Sequence, residues 1–119
     1  MRVISGIYRG RKLAGPKGDR FRPTLDRVKE SIFSVLGADI EGSNVLDLFC
    51  GSGSLGIEAL SRGARHSTFV DKDKQVLNIA RGNVMSLGIE EMSSFVLTDV
   101  FQYHDTSVNS TFDLSLIHI

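Results

Sequence analysis

Residues 45–56 read VLDLFCGSGSLG, and this stretch decides the fold. Val45-Leu46-Asp47-Leu48-Phe49 is a short apolar run of the kind that forms a buried strand, and Gly51, Gly53 and Gly56 follow it in the spacing G-x-G-x-x-G. Ile57, Leu60 and Arg62 then continue as a helix that Gly63 stops. The glycines differ in what they permit. Gly51 allows the tight turn, Gly53 the close approach of backbone to a ligand, and Gly56 the close packing of the helix on the sheet. Asp71 stands 20 residues beyond Gly51, at the end of the next apolar run, Ser67–Val70. A carboxylate there accepts both hydroxyls of a ribose. A glycine triad alone is a weak signal. Inside a strand–loop–helix–strand frame with the acid in place, it specifies a nucleoside-cofactor site.

The pattern continues on both sides. Val76, Leu77, Ile79, Ala80, Val84 and Leu87 mark a second helix, with Asp73 as its N-cap and Gly88 as its stop. Ser94–Leu97 reads as a third strand ending near Asp99, and Thr111–Leu114 begins a fourth. This alternation predicts an α/β fold with a parallel sheet and right-handed crossovers. Upstream, residues 2–8 (RVISGIY) predict a strand with residues 10–15 as its hairpin partner. Arg22-Pro23-Thr24 then predicts a helix capped by Thr24, stopped by Gly37, and burying the stripe Leu25, Val28, Ile32, Val35 and Leu36.

Asp47 narrows the cofactor. It lies inside the first strand, four residues before Gly51, where a dinucleotide fold carries apolar residues. A lone buried carboxylate there costs several kcal/mol, on the order of 2–7 even for a neutral polar group. A ligand bearing a cation or an amino group repays that cost, and S-adenosylmethionine carries both a sulfonium and an α-amino group. Capping of the glycine-loop amides by Asp47 serves either cofactor, and the two roles are compatible.

Composition sets the remaining bounds. The 119 residues suffice for one domain, and 41% apolar with 24% charged is ordinary for a globular protein. One cysteine excludes a disulfide framework or a cysteine zinc cluster, and Cys50 reads as a small loop residue. His66, His104 and His118 share no ligand spacing, so no metal is expected. No apolar run reaches the roughly eighteen residues of a membrane span. A cytoplasmic monomer is expected. The formal charge of zero conceals a polarity: residues 1–36 hold nine basic and three acidic side chains, a net of +6, and residues 37–119 balance it at −6. A basic arm on an acidic body fits a nucleic-acid partner. Its candidate contacts are Arg9, Arg11 and Lys12 on the hairpin and Arg22 and Arg27 at the helix start, gripping phosphates across the mouth of the cofactor cleft.

The motifs D-x-F-x-G-x-G-x-x-G (Asp47, Phe49, Gly51, Gly53, Gly56), V-D-K-D at 70–73 and T-D at 98–99 resemble the Rossmann-like class I methyltransferases. More narrowly, R-x-I-x-G-x-x-R-G-R-K-L (Arg2–Leu13), R-P-T-x-D-R-V-K-E-x-I-F (Arg22–Phe33) and LDLFCGSGSLGIEALSRGA resemble the RsmD family, over residues 2–114. The resemblance implies transfer of a methyl group from S-adenosylmethionine to the exocyclic N2 of a guanine in small-subunit ribosomal RNA, free or in an assembling subunit. It implies that Asp47 and the Gly51–Gly53 loop hold the methionine moiety, with Phe49 also among the cofactor-binding residues. Asp71 then takes the ribose hydroxyls, and Asp99 with Val100 frames the adenine. Residues 1–37 become an RNA-facing arm and 38–113 the donor-binding core.

The family's catalytic motif, Asp-Pro-Pro-aromatic after the fourth strand, is not in the sequence, whose prolines are Pro16 and Pro23. The chain reads Phe112-Asp113 and then LSLIHI, which CTG-TCT-CTT-ATA-CAC-ATC, a transposase-adapter read-in, encodes. The expectation is a core truncated after its fourth strand, inactive by itself, with residues 114–119 a non-native tail. The competing readings are a methyltransferase of another substrate, a nicotinamide-dependent dehydrogenase, and a non-catalytic RNA-binding module.

Overall fold

The computed structural model describes residues 1–15, 23–48, 50–99 and 114–117, with 23–25 and 114–117 as backbone. Its elements are α1 (Pro23–Leu36), β1 (Asn44–Leu48), α2 (Ser54–Ser61), β2 (His66–Asp71), α3 (Lys74–Leu87), β3 (Ser93–Leu97) and β4 (Leu114–Ile117). The strands form one parallel sheet in the order β3-β2-β1-β4, with Leu46 opposite Thr68 and Ser115, and Phe69 opposite Phe95. Strand–helix alternation therefore gives the expected Rossmann-like sheet. Both crossovers step the same way along it, so right-handed connections put α2 and α3 on the same face.

Val45, Leu46, Phe69 and Val70 of the central strands are buried, and every residue of α2 is buried. Asp73 caps α3 by accepting from the amides of Gln75 (2.9 Å) and Val76 (3.3 Å), as the sequence predicts. The fourth strand falls at 114–117, inside the stretch read as a tail. Its alternating Leu-Ser-Leu-Ile is compatible with a strand whatever its origin, and it extends the sheet beside β1. The expected start at 111–113 lies outside the described residues.

Two upstream expectations are corrected. Residues 2–8 do not form a regular strand: the arm is a loop closed by one antiparallel bridge, Arg2 with Lys12, and by bonds from the amides of Val3 to Arg11 O and Leu13 to Met1 O. Its middle is diverted by α2, as the amides of Ile4 and Ser5 donate to the Glu58 carboxylate at 2.9 and 3.0 Å. The second correction concerns α1. Val28 and Val35 are exposed, at 50% and 87%, whereas Lys29 and Phe33 are buried. The helix turns Lys29 inward because its ammonium pairs with Glu58 (3.5 Å) and donates to Arg2 O (2.8 Å). The helix starts at Pro23, a favoured first helical position, so Thr24 lies within the first turn and not at the cap. Val3, Leu13 and Phe33 join the same core cluster as Val45, Ile57 and Phe69, so the arm is packed on the sheet's helical layer.

Candidate functional site

The carboxyl ends of β1 and β2 bring Asp47, Gly51, Gly53 and Asp71 together. Asp47 pairs in register with Phe69 and is fully buried. Its Oδ2 accepts from the amide of Gly56 at 3.0 Å, and its Oδ1 meets no hydrogen-bond partner among the described residues. Burial pushes this carboxyl well above its ordinary 3.8, and the Gly56 bond only partly opposes the shift. Both readings of Asp47 thus have a physical basis, because one oxygen holds the glycine loop and the other is an orphan acceptor.

Asp71 ends β2, half-buried, with Oδ2 accepting from Gly51 N at 3.3 Å and Oδ1 from Asp73 N at 3.0 Å. One side chain therefore links the loop of β1 to the start of α3, and each oxygen keeps accepting capacity for a ligand hydroxyl. Asp99 lies two residues beyond β3, and the neighbouring Thr98 amide donates to Asp71 O at 3.0 Å. Phe49 and Val100 lie outside the described residues, as does Arg22. The glycine reading holds at Gly56, where a Cβ would stand 2.4 Å from the Phe69 ring. Cys50 is buried, and burial, with the charges of Asp47 and Asp71, pushes its thiol up and away from the reactive thiolate.

Two of the cationic candidates, Arg9 and Arg11, lie away from this end. Arg11 donates from its guanidinium to Ser86 O, in the last turn of α3, at 2.9 Å. Arg9 lies on the arm's turn, which docks on the C-terminal end of α2: the amides of Ile7 and Tyr8 donate to Ser61, and the Ser61 hydroxyl donates to Ser5 O at 2.6 Å. The sequence places these cations across the cleft mouth. The structure puts Arg9 and Arg11 near the starts of the strands instead, because Glu58 and Ser61 draw the arm there. Lys12 stays beside Arg2, and Arg27 is exposed in the second turn of α1. Tyr8 packs against the core.

Three structuring residues escaped the sequence reading. Glu58 is fully buried and binds the arm, Lys29 and Arg62. Asn83 ties the arm to the glycine loop, its amide donating to Ala14 O and Ser52 O (2.9 Å each) and accepting from Ala14 N (2.8 Å). Arg62 closes the Glu58 network at 2.9 Å with its guanidinium over the Phe33 ring. The signal in the sequence was a glutamate in an otherwise small and apolar helix, four residues before an arginine.

This chain matches the family described as Conserved hypothetical protein 95 over residues 1–118. It belongs to that family. The RsmD resemblance of the sequence is thereby borne out. It is 49% identical over 87 residues to ribosomal RNA small subunit methyltransferase D of Haemophilus influenzae, covering 73% of this chain and 45% of that protein. With the protein of the same name from Escherichia coli K12 it shares 47% over 76 residues, covering 64% and 38%. A solved Escherichia coli chain assigned to the methyltransferases superposes with a TM-score of 0.77 at 39% identity, over 87% of this chain and 55% of that one. An RNA methyltransferase from Salinibacter ruber, solved with S-adenosyl-L-homocysteine, shares the fold at a TM-score of 0.67 and 22% identity, over 82% and 61%. The chain spans about half the length of the curated relatives it matches.

Proposed function

We propose that residues 38–113 bind S-adenosylmethionine and that the whole protein methylates the exocyclic N2 of a guanine in small-subunit ribosomal RNA. The observation that carries the donor site is the buried Oδ1 of Asp47, without a partner among the described residues, beneath a glycine loop that Asp71 also holds. An orphan acceptor at full burial is costly. An amino-bearing ligand relieves that cost, whereas a pyrophosphate would add a second anion beside it. The residues present therefore fit the donor.

When bound, S-adenosylmethionine supplies an electrophilic methyl group on its sulfonium, open to direct attack by an amine. Asp47 orients the donor's amino group, Asp71 accepts from its ribose hydroxyls, and Asp99 with Val100 borders the adenine. Rate enhancement then comes from positioning the amine against the methyl carbon and from stabilising the charge that develops on the amine. Residues 1–37 form the RNA-facing arm. The substrate is free ribosomal RNA or the assembling small subunit, met by a cytoplasmic monomer. The names of the curated relatives support the ribosomal RNA substrate.

Calorimetric titration of the chain with S-adenosylmethionine and, separately, with a nicotinamide dinucleotide tests the donor. Saturable one-to-one binding of the first and no heat from the second is expected. The reverse pattern would make the loop a dinucleotide site.

A further inference from the structure

The buried residues of α3 are Leu77, Ala80, Asn83, Val84 and Leu87, and of these only Asn83 is polar. A carboxamide on a buried apolar face is costly unless its groups are bonded. Here both N–H groups are used, one on Ala14 O and one on Ser52 O at 2.9 Å each, and Oδ1 accepts from Ala14 N at 2.8 Å. One side chain thus grips two separate chain segments and has no donor left over.

The segment that matters for the donor is the glycine loop. Ser52 stands between Gly51 and Gly53, whose φ values are +56° and +81°. Glycine has the most conformational freedom to lose, so a loop built this way is fixed only by bonds from outside it. Asp71 takes the amide of Gly51, and Asp47 takes that of Gly56. The peptide between Ser52 and Gly53 is held at both its ends. Gly53 N donates to Cys50 O at 2.8 Å, and Ser52 O accepts from Asn83. A flip of that peptide would break both bonds and strand a buried donor of Asn83.

Both ends of the arm converge on the same residue. The Ser52 hydroxyl meets Met1 Sδ at 3.7 Å, Leu13 N donates to Met1 O at 2.8 Å, and Ala14 is bonded to Asn83. These bonds use Met1, Leu13 and Ala14, so the side chains of Arg9, Arg11 and Lys12 take no part in them.

We propose that Asn83 is a positioning residue of the donor site: it fixes the Ser52–Gly53 peptide in the orientation that binds the donor and locks that orientation to the seated arm. This rests on the donor site proposed above. A loop that samples other orientations binds more weakly in proportion to the fraction of time it is competent, and a loop held in advance avoids that loss.

The experiment compares the unsubstituted chain with Asn83→Leu, which has a similar size and no polar group, and Asn83→Asp, which keeps the acceptor for Ala14 N and loses both donors. Each is titrated calorimetrically with S-adenosylmethionine well below its own unfolding midpoint, and the amide resonances are followed by nitrogen-15 NMR. Both variants should bind about 5- to 30-fold more weakly. The amide nitrogen of Gly53, joined directly to the Ser52 carbonyl, should shift in both, which a general loss of stability would not cause. The Ala14 amide should stay protected from exchange in Asn83→Asp alone. Where Asn83→Leu does not fold, Asn83→Asp decides by itself. Donor affinity equal to the unsubstituted chain in the folded variants would overturn the role of Asn83. Weakening in Asn83→Leu but not in Asn83→Asp would assign the effect to the arm's anchorage and overturn the hold on Ser52. An unsubstituted chain that does not bind S-adenosylmethionine would overturn the donor site itself.

Discussion

At the residue scale, two carboxylates carry the donor site, and each gives a measurable consequence. Asp71 offers its remaining lone pairs to ligand hydroxyls while holding Gly51 N at 3.3 Å. Asp71→Ala should weaken S-adenosylmethionine binding by about 1–3 kcal/mol, the range for lost charge-assisted hydrogen bonds, read by calorimetry. An unchanged dissociation constant would remove Asp71 from the site. Asp47 gives a pH dependence. Burial holds its folded carboxyl above 3.8, so the folded chain binds more protons than the unfolded one at pH above that value. Stability therefore falls as pH rises from about 3.8 through the folded value. A donor amino group beside Oδ1 favours the ionised form, so binding releases a proton and tightens as pH rises through the same window. Asp47→Asn should abolish that dependence, and a pH profile identical to the unsubstituted chain would show that Asp47 does not face the donor. The sequence made both residues visible because a polar side chain inside an apolar strand, and an acid at the next strand's end, break a pattern that packing alone would not break.

At the element scale, the arm and α1 are held by one buried network centred on Glu58. Removing one member leaves the others charged and out of water, since Lys29 and Glu58 are both buried. Glu58→Gln should therefore lower unfolding free energy by about 3–5 kcal/mol in urea titration. A loss below about 1 kcal/mol, the range of a surface pair, would mean the network is solvated. Gly6 makes the complementary case. Its φ is +90°, and a Cβ there would stand 1.9 Å from Ser61 O. Gly6→Ala should detach the arm's turn, seen as faster hydrogen exchange at the amides of Ile4 and Ser5 with the sheet amides unchanged. These elements are also where the sequence was hardest to read. Apolar periodicity assigned Val28 and Val35 to the core and passed over Lys29, because spacing registers which residues are apolar and not which charges find a buried partner. The arm reads as a hairpin by its glycines, yet its backbone bonds go to Glu58 and Ser61, whose distance in sequence hides them. The sheet and α3 suffered neither difficulty, since their apolar runs, caps and stops are local.

At the scale of the whole molecule, charge and sheet divide the labour. Of the basic residues of the arm, Arg11 lies on the end of α3 and Arg9 at the end of α2, while the acidic pair Asp47 and Asp71 sits at the strand ends. Replacing Arg9, Arg11 and Lys12 together by alanine should lower RNA affinity and flatten its salt dependence without altering donor affinity. Coupled loss of both would mean that the arm braces the glycine loop through Asn83 more than it grips RNA. The most direct test of the donor site is a crystal structure of the chain with S-adenosyl-L-homocysteine. The expected result places the ligand's amino group on the unpartnered oxygen of Asp47 and both ribose hydroxyls on Asp71. A ligand bound elsewhere, or a ribose that leaves Asp71 untouched, would contradict it.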